Sequence, residues 1–187
     1  IAAGLGVIPR VVGEGRPIME GKLTLAEAEA RIAACWHPYH VRLRTLLADA
    51  RRRFGTAILY DCHSMPRDAL NAAPAIWGRR PEVILGDRFG GACDRWLIDA
   101  ATDLFAASGF VVARNAPFAG GYITQTYGQP RDGVHALQIE IDRALYMDEA
   151  RIERLPAFPE IAARLATVAA GLAALGPQAA PLPVAAE

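Results

Sequence analysis

The chain has 187 residues, 52% of them hydrophobic, and its 20 basic and 20 acidic residues cancel to a net charge of zero. This is enough apolar material for a globular domain with a substantial core, and the balanced charge argues against a nucleic-acid groove or an anionic membrane as the main partner. Cys35, Cys62 and Cys93 are far apart with no Cys-x-x-Cys pair, which excludes a disulfide scaffold and fits a reducing cytoplasm, and no apolar run approaches the roughly 20 residues of a membrane span.

Residues 1–23 are glycine-rich and read as loop with one short strand. Thr24 and Glu27 in "TLAE" form a capping box, and the helical pattern that follows runs to about Phe54, with Gly55 as a stop. Pro38 interrupts it, predicting two helices or a kink. Arg51, Arg52 and Arg53 fall in the last turn, where cations complement the helix dipole. Four apolar runs then read as strands: "TAILYD" (56–61), "EVILGD" (82–87), "FVVARN" (110–115) and "ALQIEID" (136–142). Residues 93–108 have helical spacing, with Gly109 as the stop. The stretch 120–128 reads as an additional strand, and 158–175 as an Ala/Leu helix against the sheet. The alternation predicts one α/β domain over 1–175, with a mostly parallel or mixed sheet covered by helices. A loose Pro/Ala-rich tail occupies 176–187.

Each apolar run ends in polar chemistry: Asp61 with His63, Asp87 with Arg88, Arg114 with Asn115, Glu140 with Asp142. Ligands of open α/β sheets sit outside the carboxyl ends of strands, so parallel strands would gather all four groups at one edge. Asp61 and His63 share a strand face, where the carboxylate can fix the imidazole tautomer and leave the other ring nitrogen for a cation. Apolar neighbours in "QIEI" would raise the Glu140 pKa toward general acid/base work, or Glu140 is a buried ion-pair partner. Arg88 and Arg114 suit a substrate carboxylate, and together these groups suggest metal-assisted hydrolysis of an amide in an anionic substrate. In "HPYH", His40 is a candidate for the site and His37 a surface residue. His135 lies on the strand face opposite Glu140, a core or rim position, and Cys62 is assigned to packing. Ser64 lacks the G-x-S-x-G elbow of a serine hydrolase.

The blocks "LYDCHSMP", "VILGDRFGG", "NAPFAGGYIT..YG.P" and "GVHALQIEIDRALYMDE", in this order, resemble the N-formylglutamate amidohydrolase family, as does the preceding "GRPI.EGKLTLAEAEARI...HPYH". The resemblance runs from about Gly4 to Leu175. It implies a hydrolase fold akin to zinc carboxypeptidases and aspartoacylase-like deacylases. It also implies a zinc-dependent enzyme that cleaves N-formyl-L-glutamate, or a similar small anionic N-acyl amino acid, in the cytoplasm. By the same resemblance His63 is a metal ligand, Asp61 its orienting partner, and Glu140 the group that activates water and passes its proton to the leaving amine. Arg88, Arg114 and Asn115 are substrate-binding candidates. The family's early P-H-x-G segment, its acidic ligand and its D-L-N-R block have no counterpart here. The chain, which begins at Ile1, is therefore expected to lack the N-terminal part of the family domain and the other zinc ligands with it. Two further readings stay open: a metal-free protein on the same scaffold that binds an acidic amino acid, and an interaction domain whose polar strand ends are only ion pairs.

Overall fold

In a computed structural model of the chain, which describes residues 8–12, 15–71 and 73–176, Thr24 opens the first helix as a reciprocal cap. The Thr24 hydroxyl accepts from the backbone N–H of Glu27 at 3.2 Å, and the Glu27 carboxylate takes the Thr24 N–H at 2.8 Å. Helix α1 (Leu25–Arg31) passes through a π-helical turn, Ile32–Trp36, into α2 (His37–Phe54). Pro38 sits in the first turn of α2. The N–H of His37 bonds back to Ile32 O, so the wider turn takes up the irregularity that a proline imposes on a helical run. At the far end the N–H of Gly55 closes on Arg51 O with φ +77, the left-handed stop that glycine adopts without strain. The chain forms two compact units, Ile1–Leu46 and Leu47–Glu187. Short pairing of Val11 with Pro17 is the only strand-like feature described before α1.

The second unit holds the sheet. Its strands are β1 (Ala57–Met65), β2 (Val83–Gly86), β3 (Val112–Arg114) and β4 (Val134–Asp142), in spatial order β1-β4-β2-β3. Strand β1 runs parallel to β4 and β2 parallel to β3, but β2 is antiparallel to β4. The sheet is therefore mixed, and the carboxyl ends of the four strands divide between two edges. The stretch read as a fifth strand is instead a short helix, α4 (Tyr122–Tyr127). Its β-branched and aromatic residues favour a strand locally, but burial of Thr124 and Tyr127 and the bonds from Gln125 N to Gly121 O and from Gly128 N to Thr124 O hold it helical. A two-residue ladder pairs β5 (Met147–Asp148) with β6 (Glu153–Arg154).

Strand alternation sorts β4 into two faces. Leu137 and Ile139 join Val83 and Leu85 under α3 (Arg95–Ala107) and α5 (Phe158–Ala174), in a core completed by Leu97, Phe105, Val168 and Leu172. The opposite face has a smaller apolar cluster, Met65, Leu70, Ile84 and Ala113. There Gln138, Glu140 and Asp142 recur at every second residue of β4, and all three are buried. No helix among the described residues is long and apolar enough to cross a membrane. The predicted tail lies outside the described residues from position 177 onward.

Candidate active site

The parallel register of β1 and β4 sets His63 beside Glu140 and Asp61 beside Gln138. Neighbouring strands lie about 4.8 Å apart, and paired residues share a face, so four polar side chains form a square on the sheet face away from α3 and α5. Within β1, His63 Nε2 is 2.9 Å from Asp61 Oδ1. This contact engages one ring nitrogen and leaves Nδ1 without a partner among the described residues. His63 is half exposed, at 47% of its side-chain surface, against 17% for Asp61.

Glu140 is 8% exposed. Burial pushes its pKa up from the usual carboxylate range, while the neighbouring His63 and a hydrogen bond from Gln138 pull against that rise and Asp61 adds to it. Gln138 carries two roles at once. Its amide nitrogen donates to Glu140 Oε1 at 2.9 Å, and its carbonyl oxygen accepts the N–H of Gly121 at 2.7 Å. The loop held in this way crosses directly over Gly86, the residue of β2 opposite Gln138. A Cβ at Gly86 would lie 2.8 Å from the carbonyl carbon of Ala119, so only glycine admits this approach. Gln138 was not among the expected site residues, although its place two residues before Glu140 puts it on the same strand face.

The mixed sheet separates the remaining candidates. Arg88 is exposed, with φ +56. Its N–H donates to Ala119 O at 2.7 Å, and its Cγ lies 3.0 Å from where a Cβ at Gly120 would stand. It therefore borders the loop that Gln138 holds. Arg114 does not join the cluster. It pairs with Leu85 in register, which turns its side chain to the helical face, where it donates to Asp99 Oδ1 at 2.6 Å and Thr102 Oγ at 2.9 Å on α3. Asn115 braces the end of β2: its Oδ1 accepts the N–H groups of Asp87 and Phe89, and its Nδ2 donates to Asp87 Oδ1 at 2.7 Å. The antiparallel β2–β4 contact is thus the reason the four polar strand ends do not gather at one edge.

His40 belongs to the first unit, where it packs on Trp36 and Tyr39; burial, with Arg44 and His37 nearby, lowers its pKa. His37 is exposed. His135 is buried on the helical face, accepting from Asp94 N at 3.3 Å and lying edge-on to Trp96. Cys62 is exposed rather than packed, because β1 is an outer strand of the sheet. The Ser64 hydroxyl accepts from Arg143 Nε at 3.1 Å.

Among the described residues no group of three or more His, Cys, Asp or Glu side chains is arranged to hold a metal ion. A catalytic zinc takes about three protein ligands and a water. His63, with Asp61 behind it, could supply one of these, so the described residues do not by themselves make a zinc site.

A family profile described as N-formylglutamate amidohydrolase matches residues 1–147, a span that includes β1, β4 and every residue of the square. The chain belongs to the N-formylglutamate amidohydrolase family. Its relatives include two proteins named N-formylglutamate deformylase, from Pseudomonas aeruginosa at 38% identity and from Pseudomonas putida at 35%, each matched over 79% of this chain and 55% of its own length. The chain thus spans about half the length of these relatives. The crystal structure of N-formylglutamate amidohydrolase from Ralstonia eutropha superposes with a TM-score of 0.79 at 34% identity, over 91% of this chain and 62% of that one. The family's match ends at Met147, the first residue of β5, so α5, one of the two helices over the core, lies beyond it.

Proposed function

We propose that this chain carries the proton-handling part of an amidohydrolase site that acts on N-formyl-L-glutamate, with formate and glutamate as products. The single observation behind this reading is the Glu140 carboxylate, buried yet placed beside His63 and held by Gln138 at 2.9 Å. A carboxylate with a raised pKa takes a proton from water more readily than one at its usual value and can return it to a leaving amine. Hydrolysis then balances simply. Water adds its oxygen to the formyl carbon, Glu140 accepts one proton, the C–N bond breaks, and that proton goes to the departing amino group. Names of relatives that cover the same strands support the substrate.

Arg88, beside the Gly120–Gly121 loop, is the proposed anchor for a substrate carboxylate. His63 is proposed as one ligand of a divalent zinc ion, with Asp61 orienting its ring, in the manner of the zinc carboxypeptidases whose D-x-H strand end it resembles. The ion would supply Lewis-acid polarisation. The described residues do not complete its coordination.

The test compares Glu140→Gln with the wild type in steady-state hydrolysis of N-formyl-L-glutamate. Loss of a general base lowers kcat by about 10²–10⁴-fold with little change in KM. Wild-type kcat in the variant would show that Glu140 is structural. Metal analysis of purified His63→Ala protein reads the zinc assignment separately, and unchanged zinc content would remove it.

A further inference from the structure

His63 and Asp61 lie on β1, an outer strand whose one ladder among the described residues is with β4. That ladder ends at Met65 opposite Asp142, two residues past His63. Pro66 follows, and a proline has no N–H with which to extend the pairing. Strand ends held this sparsely open locally at little cost in free energy, so keeping His63 beside Glu140 calls for a further tie.

Arg143 supplies one. Just past the last ladder pair, Asp142 Oδ1 accepts the N–H of Ala144 at 3.0 Å and starts a 3-10 turn, Arg143–Leu145. From this turn the Arg143 side chain reaches across to β1. Its Nε donates to Ser64 Oγ at 3.1 Å, and its Nη2 donates to the Ser64 carbonyl oxygen at 2.9 Å. Ser64 follows His63 directly and, by strand alternation, points to the opposite face. A hold on both its side chain and its backbone fixes the roll of the strand at His63.

An arginine placed only to balance charge would meet a carboxylate, and Arg143 forms no ion pair among the described residues. Two carboxylates of this region are engaged elsewhere. Asp142, 1% exposed, has its Oδ2 2.7 Å from Arg67 Nε, beside a cavity that Arg79 and Arg80 also line. Glu149 accepts the backbone N–H of Arg67 at 2.9 Å. These contacts hold the chain beyond Pro66, whereas both Arg143 bonds go to the residue next to His63. The Arg143 charge does reach Glu140: burial raises the pKa of that carboxylate, and Arg143 opposes the rise, more weakly than His63 and Gln138 do.

We propose that Arg143 is a positioning residue for the hydrolysis proposed above, and that its clasp on Ser64 keeps His63 of the outer strand turned toward Glu140. The inference rests on that activity and deepens it. Arg143 acts through Ser64 and not on the reacting atoms, so its removal should disturb the geometry of the reaction more than the binding of substrate.

The test uses the full chain with Arg143→Ala, Arg143→Lys, Ser64→Ala and the Arg143→Ala/Ser64→Ala double variant, with folding checked by circular dichroism. In hydrolysis of N-formyl-L-glutamate, Arg143→Ala is expected to lower kcat by about 10–100-fold, the cost of a misplacement near 1 Å, with KM little changed. Arg143→Lys, which can reach only one of the two acceptors, should recover part of the loss. Ser64→Ala keeps the backbone acceptor and should cost less, and in the Arg143→Ala background it should cost nothing, because its partner is already gone. Amide hydrogen exchange reads the clasp without turnover: in Arg143→Ala it should quicken at residues 62–66 and stay as in the wild type at residues 57–60. A wild-type kcat in Arg143→Ala, a rise in KM alone, or exchange that is unchanged at 62–66 or faster along the whole sheet overturns the proposal. Should Arg143→Ala not fold, Ser64→Ala carries the same kinetic and exchange test. Faster exchange confined to 62–66 in a protein that does not hydrolyse N-formyl-L-glutamate would uphold the clasp and reject the proposed activity.

Discussion

Gln138→Leu removes the bridge between the Gly121 loop and Glu140 while keeping a side chain of similar bulk that cannot hydrogen-bond. Two hydrogen bonds disappear. The one to the Glu140 carboxylate is charge-assisted, worth about 1.5–3 kcal/mol, and the one from Gly121 N–H is worth about 0.5–1.5 kcal/mol. Gln138 is only 7% exposed, so water does not readily replace either partner. The expected loss of stability at pH 7 is therefore about 2–4.5 kcal/mol. The two bonds also separate by pH. That hydrogen bond holds the Glu140 pKa down against the effect of burial, so its removal raises the pKa further and shifts the acid limb of the kcat/KM profile to higher pH. Urea denaturation at pH 7, with a pH–rate profile on the same variant, measures both effects. A stability change under about 0.5 kcal/mol, which is within the range of neutral surface substitutions, together with an unmoved acid limb would refute the bridge.

Gly86→Ala would place its Cβ 2.8 Å from Ala119 C and 2.9 Å from Gly120 N, all backbone; overpacking of this kind costs about 1–3 kcal/mol, and activity should fall as the loop moves, both readable by thermal melts and kinetics. Glu140→Gln should raise stability relative to the wild type at neutral pH. The raised pKa means the folded wild type holds a proton that the unfolded chain releases, so wild-type stability falls as pH climbs from 4.5 through the raised value. The gap between the two proteins should vanish below that window, and melts across pH 4–8 will show whether it does. Of the three thiols, Cys35 and Cys62 are exposed and Cys93 is buried with its pKa pushed up to about 12, so a thiol reagent should label two in the native protein and the third only after unfolding.

Local chemistry and strand alternation were enough to bring part of the site out of the sequence. The Thr24–Glu27 cap, the Gly55 stop and the strand cores of β1 to β4 depend on nearby residues, and the structure keeps them all. The Asp61–His63 contact also needed only the two-residue period of a strand. Pairing order and direction are different, because no local pattern states which strands will be neighbours. Only the tertiary structure decided that β2 runs against β4, which carries the ends of β2 and β3 to the other edge, and that Arg114 pairs with Leu85, which turns it to Asp99 on α3; Asn115 braces the end of β2 and Arg88 borders the loop. The same long-range packing made 122–127 a helix against its own propensity. It also brought Arg67 and the adjacent pair Arg79 and Arg80 to the cavity that Asp142 lines at the end of β4. Periodicity in the sequence assigns a residue to a face of its own element; which groups then meet across that face is fixed by contacts between residues far apart in the chain.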